Sequence, residues 1–116
     1  MSTIQPNTEL VPGGGIVKIR WLLAAGDEGA DTNYPGWADR NIQIEGTAGG
    51  ATVTIHGSND GINWRNLTDM AGNVLSALPV GGAIKMIQEN TLLIRPVVNG
   101  GDGTTALTLT MIARRR

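Results

Sequence analysis

A histidine, a serine and an aspartate fall at alternate positions in the stretch HGSNDGINW, residues 56–64. His56, Ser58 and Asp60 are the residue types of a nucleophilic triad, in which a base activates a hydroxyl and a carboxylate orients the base. The spacing argues against that chemistry. An extended chain points alternate side chains the same way but spreads them along the strand, whereas a triad must converge to hydrogen-bond distance. The chain has one histidine, and the sequence therefore predicts no enzyme. Asp27, Glu28 and Asp31 suggest a calcium ligand set, but the spacing of an EF-hand loop is missing. The absence of cysteine excludes disulfides, thiolate metal sites and a cysteine nucleophile. The glycine runs at 13–15 and 101–103 lack the Lys-Ser/Thr and the following helix of a phosphate-binding loop. No metal or cofactor is expected.

The remaining chemistry is that of contact. The ending ARRR could meet nucleic acid or an acidic protein surface. Single-strand binding, however, needs aromatic rings interleaved with the basic residues, and the net charge of −1 gives no attractive field for a polyanion. A solvated tail is the simpler reading, and nucleic acid is not expected as a partner. The loop over residues 27–40 carries YPGW, so Tyr34 and Trp37 are candidate anchors for a partner. Trp37 capping one end of the core is the alternative. Asn59 and Asp60, at the tip of the quoted turn, are a second candidate contact.

These residues must be held by strands. Val17, Ile19, Trp21 and Leu23 alternate with Lys18, Arg20 and Leu22, predicting a strand with Trp21 inward. NIQIEG and ATVTIHG give a strand–turn–strand pattern across TAGG. INWRNLTD reads as another strand, AGNVLSAL as a turn with a short strand, and AIKMIQEN as a strand or one helical turn. TLLIRPVVNG is apolar on both faces, with Pro96 placed at an edge or bulge because it lacks an N–H. In TTALTLTMIA, Leu107, Leu109 and Met111 share one face. Seven or eight strands and no helical period predict an all-β fold, an antiparallel β-sandwich (jelly-roll-like) or a small β-barrel.

At the quoted turn, Gly61 supplies the positive φ. A two-residue loop at Asp60–Gly61 or a four-residue loop over Ser58–Gly61 places Val53, Ile55, Ile62 and Trp64 on one face, so burial favours an even loop. Trp64 is then expected to pack inward and cover the hairpin where Gly57 offers no side chain. Residues 1–15 have two prolines, three glycines and no period, and read as a flexible arm disordered alone or ordered by a neighbour. Leu10 and Val11 are its candidate contacts. Residues 16–116 form the domain. The N-terminus lacks the pattern of a signal peptide, and no apolar run reaches the ~18 residues of a membrane helix.

The segments IHGSNDGINWRNLTDMAGNVL and IQENTLLIRPVVNGGDGTTALTLTMIARR resemble small virion proteins of tailed bacteriophages, in particular capsid decoration, or cement, proteins. The similarity covers about residues 42–115 and rests on the GSNDG.NW hairpin, the IRP strand and the Thr/Leu-alternating last strand. It implies a structural protein on the outer capsid surface, made in the host cytoplasm, that clamps neighbouring major capsid subunits, commonly as a homotrimer. Discoidin-like carbohydrate-binding sandwiches carry a similar S.DG.NW turn. A carbohydrate-binding module, such as one on a phage tail fibre, is therefore the alternative, with Trp37 or Tyr34 as its stacking platform.

Overall fold

Burial alternates from residue to residue along four of the five long strands of the computed structural model, which describes residues 2–12 and 14–115. Among the described residues the elements are β1 (Thr3–Ile4), β2 (Asn7–Leu10), β3 (Ile16–Leu23), β4 (Glu28–Gly29), β5 (Asp39–Thr47), β6 (Thr52–Ser58), β7 (Arg65–Asn66), β8 (Lys85–Ile87), β9 (Leu93–Asn99) and β10 (Ala106–Arg114), with no helix. β3 buries Val17, Ile19, Trp21 and Leu23, and β10 buries Leu107, Leu109, Met111 and Ala113. These side chains meet Ile42 and Ile44 of β5, Val53 and Ile55 of β6, and Ile94 and Val98 of β9 in one core.

The front sheet has the order β2-β3-β10-β5-β8, and the back sheet the order β1-β4-β9-β6-β7. All pairings are antiparallel except that of β1 with β4. From β3 to β6 the chain changes sheet at every connection, which makes the sandwich a jelly roll. β5 and β6, consecutive across TAGG, therefore lie in opposite sheets and do not pair with each other.

Pro96 is tolerated for a specific reason. β9 is internal to its sheet, but its neighbour β4 ends at Gly29, and pairing resumes only at the Thr32–Ile94 bridge. The missing N–H of Pro96 falls in that break. A Cβ on Gly29 would lie 2.6 Å from the Pro96 ring and 2.6 Å from Trp21 Nε1, so glycine is required there.

The arm differs from its expectation. Its strands β1 and β2 lie along the free edges of β4 and β3, one in each sheet. Glu28 N donates to Ser2 O at 2.9 Å, Ala30 N donates to Ile4 O at 2.8 Å, and Ile4 packs on the core. The edges themselves supply the partner: unpaired backbone groups beside β3 and β4 are satisfied by the chain's own start. Of the glycine run, Gly13 lies outside the described residues, as does Arg116 of the arginine cluster.

Candidate partner-contact surface

The connections β4–β5, β6–β7 and β8–β9 emerge at one end of the sandwich, and a buried arginine and two asparagines bind them together. Arg40 sits at an inward position of β5, two residues before Ile42, and is 2% exposed. Its Nε donates to Trp37 O at 3.1 Å and its Nη2 to Tyr34 O at 3.1 Å. Nη2 also donates to Asn90 Oδ1, and both terminal nitrogens reach Thr91 O at 3.4 Å. Burial pushes this guanidinium below its ordinary pKa. Asn90 Nδ2 in turn donates to Pro35 O at 2.9 Å, and Leu92 N donates to Asn59 Oδ1 at 2.9 Å. One cation and two asparagines thus turn three loops into a single rigid rim.

Tyr34 and Trp37 are half-buried and pack against the core, while Arg115 lies over the Trp37 ring at 4.5 Å from its centroid. Each caps the core and shows its remaining surface at the rim. Leu10 is exposed on β2 opposite Val17, and Val11 N donates to Ile16 O at 3.0 Å. Because Ile16 pairs with Arg114, and Arg114 with Asp39 at the start of β5, Leu10 and Val11 lie toward this same end. All six candidate contacts therefore share one end, but only Tyr34, Trp37, Asn59 and Asp60 are joined through the rim.

Asp60 builds the β6–β7 loop. Its Oδ1 accepts from Asn63 N and Ile62 N, both at 2.8 Å, and from the Ser58 hydroxyl at 3.0 Å. Its Oδ2 accepts from Asn63 Nδ2 at 2.9 Å. Hydrogen bonds from Asn63, backbone then side chain, together with those from Ile62 and Ser58, hold the carboxyl well below the usual carboxylate range. Ser58 Oγ accepts from Gly61 N at 2.9 Å, and Gly61 has φ of 76°. His56 Nδ1 has no hydrogen-bond partner. Of the three residues at alternate positions, Ser58 and Asp60 therefore form a loop scaffold, with no relay from His56 through Ser58.

That scaffold overturns the expected loop parity and the expected burial of Trp64. The register pairs Gly57 with Arg65, leaving the seven residues 58–64 between them, an odd number. Trp64 consequently lies on the outer face, with the Arg95 guanidinium 3.9 Å from its ring centroid, and Ile62 is 81% exposed. Two causes act together. The Ser58 and Asp60 oxygens satisfy the amides of Gly61, Ile62 and Asn63 in this register. The space beneath Gly57 is already filled by Leu67, whose methyl would stand 2.6 Å from a Cβ there.

Beside this loop runs an open groove of about 420 Å³ lined by Ser58, Asn63, Arg65, Asn66, Glu89 and Thr91 among others. A separate apolar cavity of about 230 Å³ opens beside β8 between Ile42, Ile44, Leu78, Pro79, Ala83 and Lys85. The carboxylates of the β3–β5 stretch are dispersed rather than gathered. Asp27 accepts from Ala24 N at 2.8 Å, and Glu28 pairs with Arg95 at 3.6 Å. Among the described residues no group of three or more His, Cys, Asp or Glu could hold a metal ion.

Sequence reasoning missed Arg40, Asn90, Leu92 and Ile62. The signal for Arg40 was present: it continues the inward period of Ile42 and Ile44, and a charged residue on an inward face must be paired or hydrogen-bonded.

No family model matches the chain, and no curated protein does. Among solved structures it is similar to the crystal structure of a cupin domain from Bordetella pertussis, with a TM-score of 0.57 and 14% sequence identity, over 99% of this chain and 96% of that one. At this identity the likeness is one of fold: a two-sheet β-sandwich of the same architecture.

Proposed function

We propose that this chain is a structural virion protein that decorates a phage capsid, gripping neighbouring major capsid subunits through the rim at the Tyr34, Trp37, Asn59 and Asp60 end. The observation that carries the proposal is the Arg40 junction, which together with the Asn59–Leu92 bond fixes three loops in one geometry before any partner arrives. A preformed rim loses little entropy on binding a repeating protein surface. The half-exposed rings of Tyr34 and Trp37 and the exposed Ile62 and Leu92 supply apolar anchors around it. The sequence resemblance to phage decoration proteins gives the partner class. Three copies around local threefold positions follow from the same resemblance, and no catalysis is assigned. The test is cosedimentation with undecorated capsids, followed by electron microscopy of the particle. Saturable binding with density at local threefold axes is the expected result. Tyr34→Ala or Trp37→Ala in a folded protein should weaken it at least tenfold; unchanged affinity in both would remove the rim from the interface.

The groove favours a second reading, a carbohydrate-binding module. Asn63, Arg65, Asn66 and Glu89 offer both donors and acceptors along one open channel, as sugar hydroxyls require. The outcomes separate cleanly: glycan binding lost in Asn66→Ala, with no capsid binding, would replace the decoration reading.

A further inference from the structure

His56, Arg95 and Trp64 meet on the outer face of the back sheet, apart from the rim contacts. His56 pairs across the strands with Arg95 of β9 on one side and with Asn66 of β7 on the other. Side chains so paired are immediate neighbours, with Cβ atoms ~4.5–5.5 Å apart. The Trp64 ring closes over the guanidinium. Beneath it lie two polar atoms shut off from solvent and without partners, His56 Nδ1 and Arg95 Nε. Buried polar atoms are normally satisfied, so two orphans on paired residues mark a place poised to change.

We infer that His56 is a proton switch for this face: neutral, it leaves Trp64 docked on Arg95; protonated, it drives Arg95 and Trp64 off the sheet and loosens the Ser58–Asn63 loop that ends at Trp64. The charges around His56 make the argument. Arg95 stands directly opposite. Glu28 of β4 lies one strand beyond and is already paired with Arg95 Nη1 at 3.6 Å. Asn66 is uncharged, and Trp64 contributes no charge. A proton on the imidazole therefore sets two cations against one carboxylate. It also makes both imidazole nitrogens donors, next to the enclosed donor Arg95 Nε, with only the uncharged Asn66 side chain on the other flank as acceptor. Arg95 has a way out, because its side chain is 22% exposed and can follow Glu28 toward solvent.

Burial, and then the neighbouring Arg95 charge, push the His56 pKa down from its ordinary 6.5, against weaker opposing effects of Asn66 and Glu28. The sign follows. Unfolded or undocked chain binds the proton more readily, so the docked state is fully favoured above about pH 6.5 and weakens as pH falls below it.

The single histidine makes the test direct. NMR titration of the His56 ring protons is followed from pH 8 to pH 4.5, alongside Trp64 emission obtained as the difference between wild type and Trp64→Phe. The expected result is a His56 midpoint below 6.5, a red shift of Trp64 emission at that midpoint, no such shift in His56→Gln, and a higher midpoint in Arg95→Gln. A midpoint at or above 6.5 would overturn the inference. So would Trp64 emission that stays constant while His56 titrates, or an acid transition that survives in His56→Gln.

Discussion

Trp21, on the front sheet, turns into the core, whereas Trp64, beside β7 of the back sheet, turns outward. Trp21 is 1% exposed in β3, paired with Leu109 of β10 and held by its Nε1, which donates to Ala30 O at 3.1 Å. Trp64 is half-exposed at the end of a loop and rests on a guanidinium. The two rings have the same chemistry, so hydrophobicity does not explain their different fates. Position relative to the nearest turn does. Within a strand the pleat dictates the face of each side chain. After a turn the face depends on how many residues the turn consumes, and here Ser58 and Asp60 set that number through hydrogen bonds. A tryptophan can be exposed when backbone amides are satisfied by exposing it.

The comparison breaks most visibly at Trp21. Trp21→Ala should cost about 3–5 kcal/mol, from a large cavity and an orphaned Ala30 carbonyl, measured by urea unfolding. A loss below about 1 kcal/mol would mean that β3 does not face the core. Arg40→Leu should cost about 2–3 kcal/mol, because the carbonyls of Tyr34, Trp37 and Thr91 lose their donor, and it should speed amide exchange in the 88–92 loop. Ile4→Ala should cost about 1–2 kcal/mol, as expected for a partly buried aliphatic residue. This is small, but it separates a docked arm from a free one, for which the substitution would be silent. The smallest effect belongs to Trp64: Trp64→Ala should cost about 1 kcal/mol or less, the range of an exposed cation–π contact. A cost as large as that of Trp21 would show that Trp64 is a core residue after all.

The long strands were legible because each carries two or more inward apolar residues in period. β3, β5, β6, β9 and β10 follow from Val17 to Leu23, Ile42 and Ile44, Val53 and Ile55, Ile94 and Val98, and Leu107 to Met111. The strand read in AIKMIQEN is present as β8 (Lys85–Ile87), but residues 62–82 were not legible. INWRNLTD yields only Arg65–Asn66 as strand, and AGNVLSAL contributes isolated bridges. Side-chain caps hold this region: Asp69 Oδ1 accepts from Ala71 N and Asn73 N at 2.9 Å, and Lys85 stands 3.7 Å from Asp69. Such caps leave no periodic trace. The rim was half legible. Tyr34, Trp37, Asn59 and Asp60 were marked by residue type, whereas their connection through Arg40 and Asn90 spans about fifty residues and belongs to the tertiary fold.

The order of strands in the two sheets also governs when the protein can fold. β10 lies between β3 and β5, and β9 lies between β4 and β6. Before Leu93 is synthesised, the strands can form the two-strand ribbons β2–β3, β5–β8, β1–β4 and β6–β7, with isolated bridges such as Val53–Leu78 and Asp69–Ile87 but without the middle strand of either sheet. Isolated two-strand ribbons are marginal in water. The middle of each sheet thus arrives last, and its pairings close long loops, a topology that folds slowly. On the ribosome the nascent chain must carry unpaired strand edges until β10 is complete. That interval, more than the stability of the finished sandwich, is when this protein is most exposed to edge-to-edge aggregation.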